Sequence, residues 1–252
     1  MDTEDVVVVG QNKAAIVIHV YSWWTPVLGL VMLLAGFLGG YFGRPLFSIQ
    51  NPVNASIEAV ASSAQDPSVQ QEALMRSVVE QIRHFKGDPQ APITLVEFGD
   101  FQCPYCGRFA TGAGRQIDEA YVQNGIVRFG YQHLAFLGPE SQWAAEASEC
   151  AAEQGAFWSY HDKLFESQSG ENRGAFSKEN LKKFAADLGL DPQAFNECLD
   201  SGKYTSIVEA ETRSVQALGV RSTPTFLING RPLIGAQPFE VFQQSIESMR
   251  RK

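Results

Sequence analysis

The chain has 252 residues and a formal net charge of -8 at pH 7, with 44% of it apolar and 19% charged. That length holds one large domain or two small ones, and the apolar share excludes an intrinsically disordered chain. A mean hydropathy of -0.13 leaves little apolar sequence beyond one spanning segment. The 4 cysteines are too few for a disulfide-stapled miniprotein, and the acidic balance argues against nucleic-acid binding.

No Asp, Glu, Lys or Arg stands between Lys13 and Arg44, and residues 23–42 are almost wholly apolar. Those 20 residues reach about 30 Å as a helix, the thickness of a bilayer's hydrocarbon core. Tyr21, Trp23, Trp24, Tyr41 and Phe42 sit at its ends, where aromatic rings favour the interface. We read one transmembrane helix at residues 23–43 after a short cytoplasmic N-terminus, residues 1–22. A cleaved signal peptide is the competing reading. The length of the apolar run, and Asp2, Glu4 and Asp5 ahead of it, favour an uncleaved anchor. Gly36 with Gly40, and Gly39 with Gly43, have a spacing that lets helices approach closely, although glycines also occur in spans without that role. Residues 44–66, rich in Pro, Asn, Ser and Ala, suit a flexible tether. Within them Asn54-Ala55-Ser56 matches a glycosylation acceptor, read here as a chance match.

The rest, residues 67–252, reads as one domain. Met75, Val78, Val79, Ile82 and Phe85 recur at helical intervals, predicting an amphipathic helix over residues 68–85. Residues 92–98 form a short apolar run suited to a buried strand, residues 103–124 are helical in pattern, and residues 126–133 read as a second strand. A mostly helical block follows over about 139–218, broken near Gly155, at residues 169–174 and at 189–192. Residues 225–228 and 231–234, joined by Asn229-Gly230, carry the strongest hairpin signal in the chain. A helix over 238–249 closes it. The order predicts an α/β sandwich with a helical insertion, and Trp143, Phe157, Trp158 and Phe165 are assigned to the core of that insertion.

Cys103-Pro104-Tyr105-Cys106 follows the first long strand and opens the next helix. A Cys at a helix N-terminus faces unpaired backbone N–H groups and the positive end of the macrodipole, which favour thiolate over thiol. The thiolate is the nucleophile of disulfide exchange. Two intervening residues let Cys106 reach the first sulfur and resolve a mixed disulfide formed there, and Pro104 suits a first-turn position. The rival readings are an inert structural disulfide and half of a zinc site. For zinc, Cys150 and Cys198 stand alone, and His19, His84, His133 and His161 form no paired motif.

Three segments resemble the thioredoxin-fold, DsbA-like thiol:disulfide oxidoreductases, in particular their membrane-anchored bacterial branch. They are VEFGDFQCPYC at residues 96–106, FWSYHD at 157–162 and VRSTPTF at 220–226, in the family's order within about residues 85–250. The resemblance implies a thioredoxin fold with a helical insertion, preceded here by one N-terminal transmembrane helix. It makes Cys103 the attacking and Cys106 the resolving cysteine. It makes Pro224 a cis-proline against the active-site disulfide, with Thr223 offering backbone groups to an extended substrate. Glu97 matches a buried acid that relays a proton near the resolving cysteine, and a polar strand-end residue is its plainer reading. Two departures bear on direction: Tyr105 stands where family oxidases often carry His, and a Thr before the cis-proline is similar to reductases and isomerases.

If Cys103 pairs with Cys106, Cys150 is left with Cys198, closing a loop of about fifty residues; some relatives look similar in this. Two free buried thiols are the alternative. A structural disulfide requires an oxidising compartment. The reading is an extracytoplasmic enzyme that introduces disulfides into exported proteins, with no cofactor, reoxidised by a quinone-linked membrane partner that the resemblance implies. A reductase or isomerase using the same residues, and a non-catalytic peptide-binding module, are the rivals.

Overall fold

The computed structural model describes residues 67–251. The expected transmembrane helix at residues 23–43, the segment before it, the tether at 44–66 and Asn54 lie outside the described residues. Among the described residues no helix is long and apolar enough to cross a membrane.

Helix α1 (Pro67–Val79) leads into a short edge strand, β1 (His84–Lys86), and then into β2 (Ile93–Gly99). Helices α2 (Pro104–Thr111) and α3 (Ala113–Ile117), with a π-helical turn at Asp118–Val122, cross to β3 (Val127–His133). Five helices follow: α4 (Pro139–Ala152), α5 (Phe157–Glu166), α6 (Lys178–Asp187), α7 (Pro192–Asp200) and α8 (Thr205–Ala217). The chain returns through β4 (Thr225–Ile228) and β5 (Arg231–Ile234) and ends in α9 (Phe239–Arg250). Among the described residues the strands form one sheet in the order β1-β3-β2-β4-β5, with β2 and β3 parallel and the other neighbours antiparallel.

The central strand β2 is buried at every position, so its two-residue alternation sorts side chains between two cores. Ile93 and Leu95 pack with Phe109, Ile117, Phe226 and Phe242, residues of α2, α3, β4 and α9. Val96 and Phe98 pack on the opposite face with Val78 of α1 and Val215 of α8. The same alternation puts Glu97 on the first face, beneath α2, between Tyr131 of β3 and Phe226 of β4 in register. A third cluster fills the helical insertion, where Cys150 of α4 and Cys198 of α7 are joined by a disulfide.

Two stretches read as single helices are divided. The first stops at Val79, Ile82 lies in the following turn, and Phe85 belongs to β1, paired opposite Gly130. Helical spacing persisted past the helix because the turn also buries Ile82 against the sheet. A strand of three residues is too short to register a period of two. The second breaks at Gly112, whose backbone (φ -113°, ψ -101°) is not helical. The insertion has a further break, at residues 201–204, that the sequence did not signal. The hairpin turn has positive φ at both Asn229 (45°) and Gly230 (82°), the geometry its Asn-Gly dipeptide favours.

Candidate active site

Asp100, just past β2, fixes the approach to the cysteines. One carboxylate oxygen accepts from the Gln102 amide at 2.8 Å, and the other from the Phe136 and Leu137 amides at 3.0 and 3.2 Å. The Gln168 side chain donates to the carbonyls of Phe101 (2.6 Å) and Cys103 (3.0 Å), bracing the loop from the insertion side. Cys103 is the N-cap residue of α2 in an extended conformation, and Pro104 occupies the first turn, where its missing N–H forgoes no hydrogen bond.

Both thiols are free and buried, Cys106 completely. A hydrogen bond from the Cys106 thiol is the largest influence on Cys103. With help from the Thr223 side chain and from the amides of Cys106 and Tyr105, it outweighs burial and lowers the Cys103 pKa to about 6. Cys106 moves the opposite way: burial, its bond to Cys103 and the nearby Glu97 carboxylate push it well above an ordinary thiol. The arrangement therefore separates a nucleophile from a thiol that holds its proton.

Glu97 lies beneath the pair, fully buried, and neither carboxylate oxygen has a hydrogen-bond partner. Burial, reinforced by the negative charge of Cys103, raises its pKa well above the carboxylate range, and Lys86 opposes this in part. The hydroxyl of Tyr131, opposite Glu97 in the sheet register, is likewise unpartnered.

The Thr223–Pro224 peptide bond is cis, and the Cys103 thiol donates to the Thr223 carbonyl at 3.3 Å. On the outer side Tyr105 is 57% exposed, with the Arg108 guanidinium over its ring at 5.0 Å. A surface groove runs from Tyr105 past Thr223 to Ile234 and Phe239. Thus Cys103, Cys106, Pro104, Tyr105, Thr223 and Pro224 meet at one end of the sheet with Glu97 under them. Cys150 and Cys198 form their own bond inside the insertion. Among the described residues no group of three or more His, Cys, Asp or Glu is arranged to hold a metal ion.

Sequence reasoning missed Gln168, Tyr131 and Lys86, because each reaches the site from a different element or by a hydrogen bond that spacing does not encode, and it gave no role to Asp100 within the segment 96–106. His161 stood within a quoted motif but received no role; it is buried, and it lines the same cavity as Glu97.

A cysteine pair heads the helix after the central strand, and the residue before a cis-proline lies against its first sulfur. The thioredoxin family profile matches residues 80–248. The disulfide bond formation protein D of Bacillus subtilis is 30% identical over 164 residues, 64% of this chain and 74% of that protein. The crystal structure of oxidised BdbD from Bacillus subtilis superposes with a TM-score of 0.65 at 28% identity, covering 69% of this chain and 95% of that one. The Na+/H+ antiporter NhaA 3 of Salinispora tropica is 37% identical over 167 residues, 66% of this chain but 24% of the antiporter. This chain therefore spans about a quarter of the length of that relative. The chain belongs to the thioredoxin family, among its DsbA-like thiol:disulfide oxidoreductases.

Proposed function

We propose that the chain is anchored in the cell membrane by residues 23–43, holds its thioredoxin-like domain on the extracytoplasmic side, and introduces disulfides into exported proteins. The observation that carries this reading is the asymmetry of the pair. Cys103, with its pKa lowered to about 6, is stabilised as a thiolate, and Cys106 is not. Stabilising the thiolate stabilises the reduced protein and makes the disulfide form a stronger oxidant.

In the oxidising direction a substrate thiolate attacks Sγ of Cys103. The Cys103–Cys106 bond breaks, its electron pair leaves on Sγ of Cys106, and a mixed disulfide forms at Cys103. Cys106 takes a proton from Glu97. A second substrate thiolate then attacks the substrate sulfur of the mixed disulfide and expels Cys103 as a thiolate, leaving the substrate oxidised and the enzyme with two reduced cysteines. The Thr223 backbone beside Cys103 and the groove along Tyr105 would hold an extended peptide. The insertion disulfide fits an oxidising compartment, and a quinone-linked membrane protein is the proposed reoxidant.

The reduction potential of the pair, equilibrated against glutathione, tests the direction. A value near about -120 mV supports disulfide donation, and one near about -270 mV reverses it to the reductase reading. Cys103→Ser tests the class: an exchange enzyme loses activity, whereas a peptide-binding module keeps its role.

A further inference from the structure

Glu97 has no hydrogen-bonded path to solvent of its own, yet an acid that takes and returns protons beneath Cys106 requires one. The structure offers a route. Glu97 and His161 of α5 line one cavity of about 140 Å³, several times the space one water needs. Its lining continues to Arg115, Asp118 and Glu166 at the surface, where Arg115 pairs with Glu166 at 2.6 Å and Lys86 with Asp118 at 2.8 Å.

The His161 ring is buried among Phe101, Tyr131, Trp158 and Phe165, which meet it largely edge-on. Its Nδ1 lies 2.8 Å from the carboxylate of Asp162, a side chain 61% exposed. A carboxylate accepts only, so Nδ1 carries the hydrogen and Nε2 keeps a lone pair. Nε2 is buried and has no hydrogen-bond partner. Such an atom is costly to leave unsatisfied. Here it sits on the ring that links the cavity to a solvated carboxylate. The charges acting on the ring are Asp162, Lys86 and His133; burial, the largest influence, keeps it neutral and Lys86 and His133 act the same way, with Asp162 opposing.

We infer that His161, oriented by Asp162, is the proton relay between Glu97 and solvent, acting on Cys106 through Glu97. This rests on the exchange reaction proposed above but not on its direction, since Cys106 must gain and lose a proton in either. When the reduced pair is reoxidised by a partner disulfide, the Cys103 thiolate attacks it and forms a mixed disulfide, releasing one partner thiolate. The proton held by Glu97 first passes through cavity water to Nε2 of His161 while Nδ1 releases its own towards Asp162 and solvent. Cys106 then gives its proton to the Glu97 carboxylate so formed, and its thiolate attacks Sγ of Cys103, expelling the second partner thiolate and leaving Glu97 protonated in the oxidised enzyme. The reverse sequence reprotonates Glu97 when substrate is oxidised.

The test is resolution of the mixed disulfide between Cys103 and glutathione, in the full-length chain in detergent, quenched with acid and read by mass spectrometry from pH 5 to 9. His161→Gln should slow resolution by about tenfold, leave the reduction potential unchanged and shift the pH profile. In His161→Gly added imidazole should restore much of the rate, which a merely structural role would not allow. If the His161 variants do not fold, Asp162→Asn, altered at an exposed side chain, should show the same slowing and profile shift. Slowing in Glu97→Gln with parental rates in His161→Gln, or in Asp162→Asn where that variant decides, overturns the relay and leaves the proposed function standing. Failure of the parent chain to exchange with glutathione at all would instead sink the proposed function.

Discussion

The Sγ of Cys103 and the carbonyl oxygen of Thr223 lie 3.3 Å apart, although 120 residues separate them in the chain. The contact joins the head of α2 to the turn before β4, so Cys103 faces the backbone with which, under the proposed function, an extended substrate would pair.

The lowered Cys103 pKa gives a direct titration. Thiolate absorbance of the reduced protein should rise with a midpoint near pH 6, leaving roughly nine-tenths of Cys103 ionised at pH 7. Cys103→Ser should abolish that transition, and Cys106→Ser should trap mixed disulfides at Cys103. A midpoint above 8 would remove the electrostatic argument for an oxidant.

Glu97 should cost stability in return for its proposed role. An acid whose folded pKa is raised destabilises the fold increasingly as pH climbs above its unfolded value near 4.3. Glu97→Leu should therefore stabilise the protein at pH 8 by about 1–3 kcal/mol, flatten this part of the pH dependence and slow exchange through Cys106. Urea unfolding at pH 4 and pH 8 checks this, and equal gains at both would count against it.

The disulfide between Cys150 and Cys198 closes a loop of 48 residues in sequence separation. Replacing both cysteines with Ala should lower stability by about 4 kcal/mol and spare glutathione exchange at permissive temperature. Its bond ties α4 to α7, and no residue of the redox pair takes part in it.

A buried ion cluster sets another pH limit. Glu149 accepts from His133 at 3.0 Å and from His84 at 2.7 Å. Burial would raise the Glu149 carboxyl, but the histidine hydrogen bonds and charges overcome it and hold it far below the usual range. Its stability contribution is present above its unfolded value near 4.3 and is lost as pH falls further. For His133 burial lowers the pKa, and the Glu149 bond with the charges of Glu211 and Glu149 more than reverses this. Its contribution is complete below about 6.5 and fades as pH rises through the higher folded value. Glu149→Gln should weaken the fold most between about pH 5 and 6.5, as thermal unfolding across pH would report.

The placement of the cysteine pair at a helix head, the hairpin and the strand–helix order were legible in the sequence because each rests on local chemistry. Pro104 fixes a helix start, Asn229-Gly230 takes positive φ at both positions, and PITLVEF is an apolar run of strand length. Strand β1 was hidden because its three residues continue the helical spacing of α1, and the break at Gly112 because one glycine does not reveal whether a helix bends or passes through it.

What the sequence determined by itself was therefore the cysteine motif at its helix head and the elements that carry it, since a helix cap and a turn need only neighbouring residues. Tertiary structure alone decided which distant groups face that motif. The strand alternation turns Glu97 inward beneath α2, and the parallel pairing of β2 with β3 sets Tyr131 opposite it. The packing of α5 brings His161 into the cavity that Glu97 lines. Those relations arise from sheet register and helix packing, where residues far apart in sequence become neighbours and burial, absent from the unfolded chain, acquires its effect on charge.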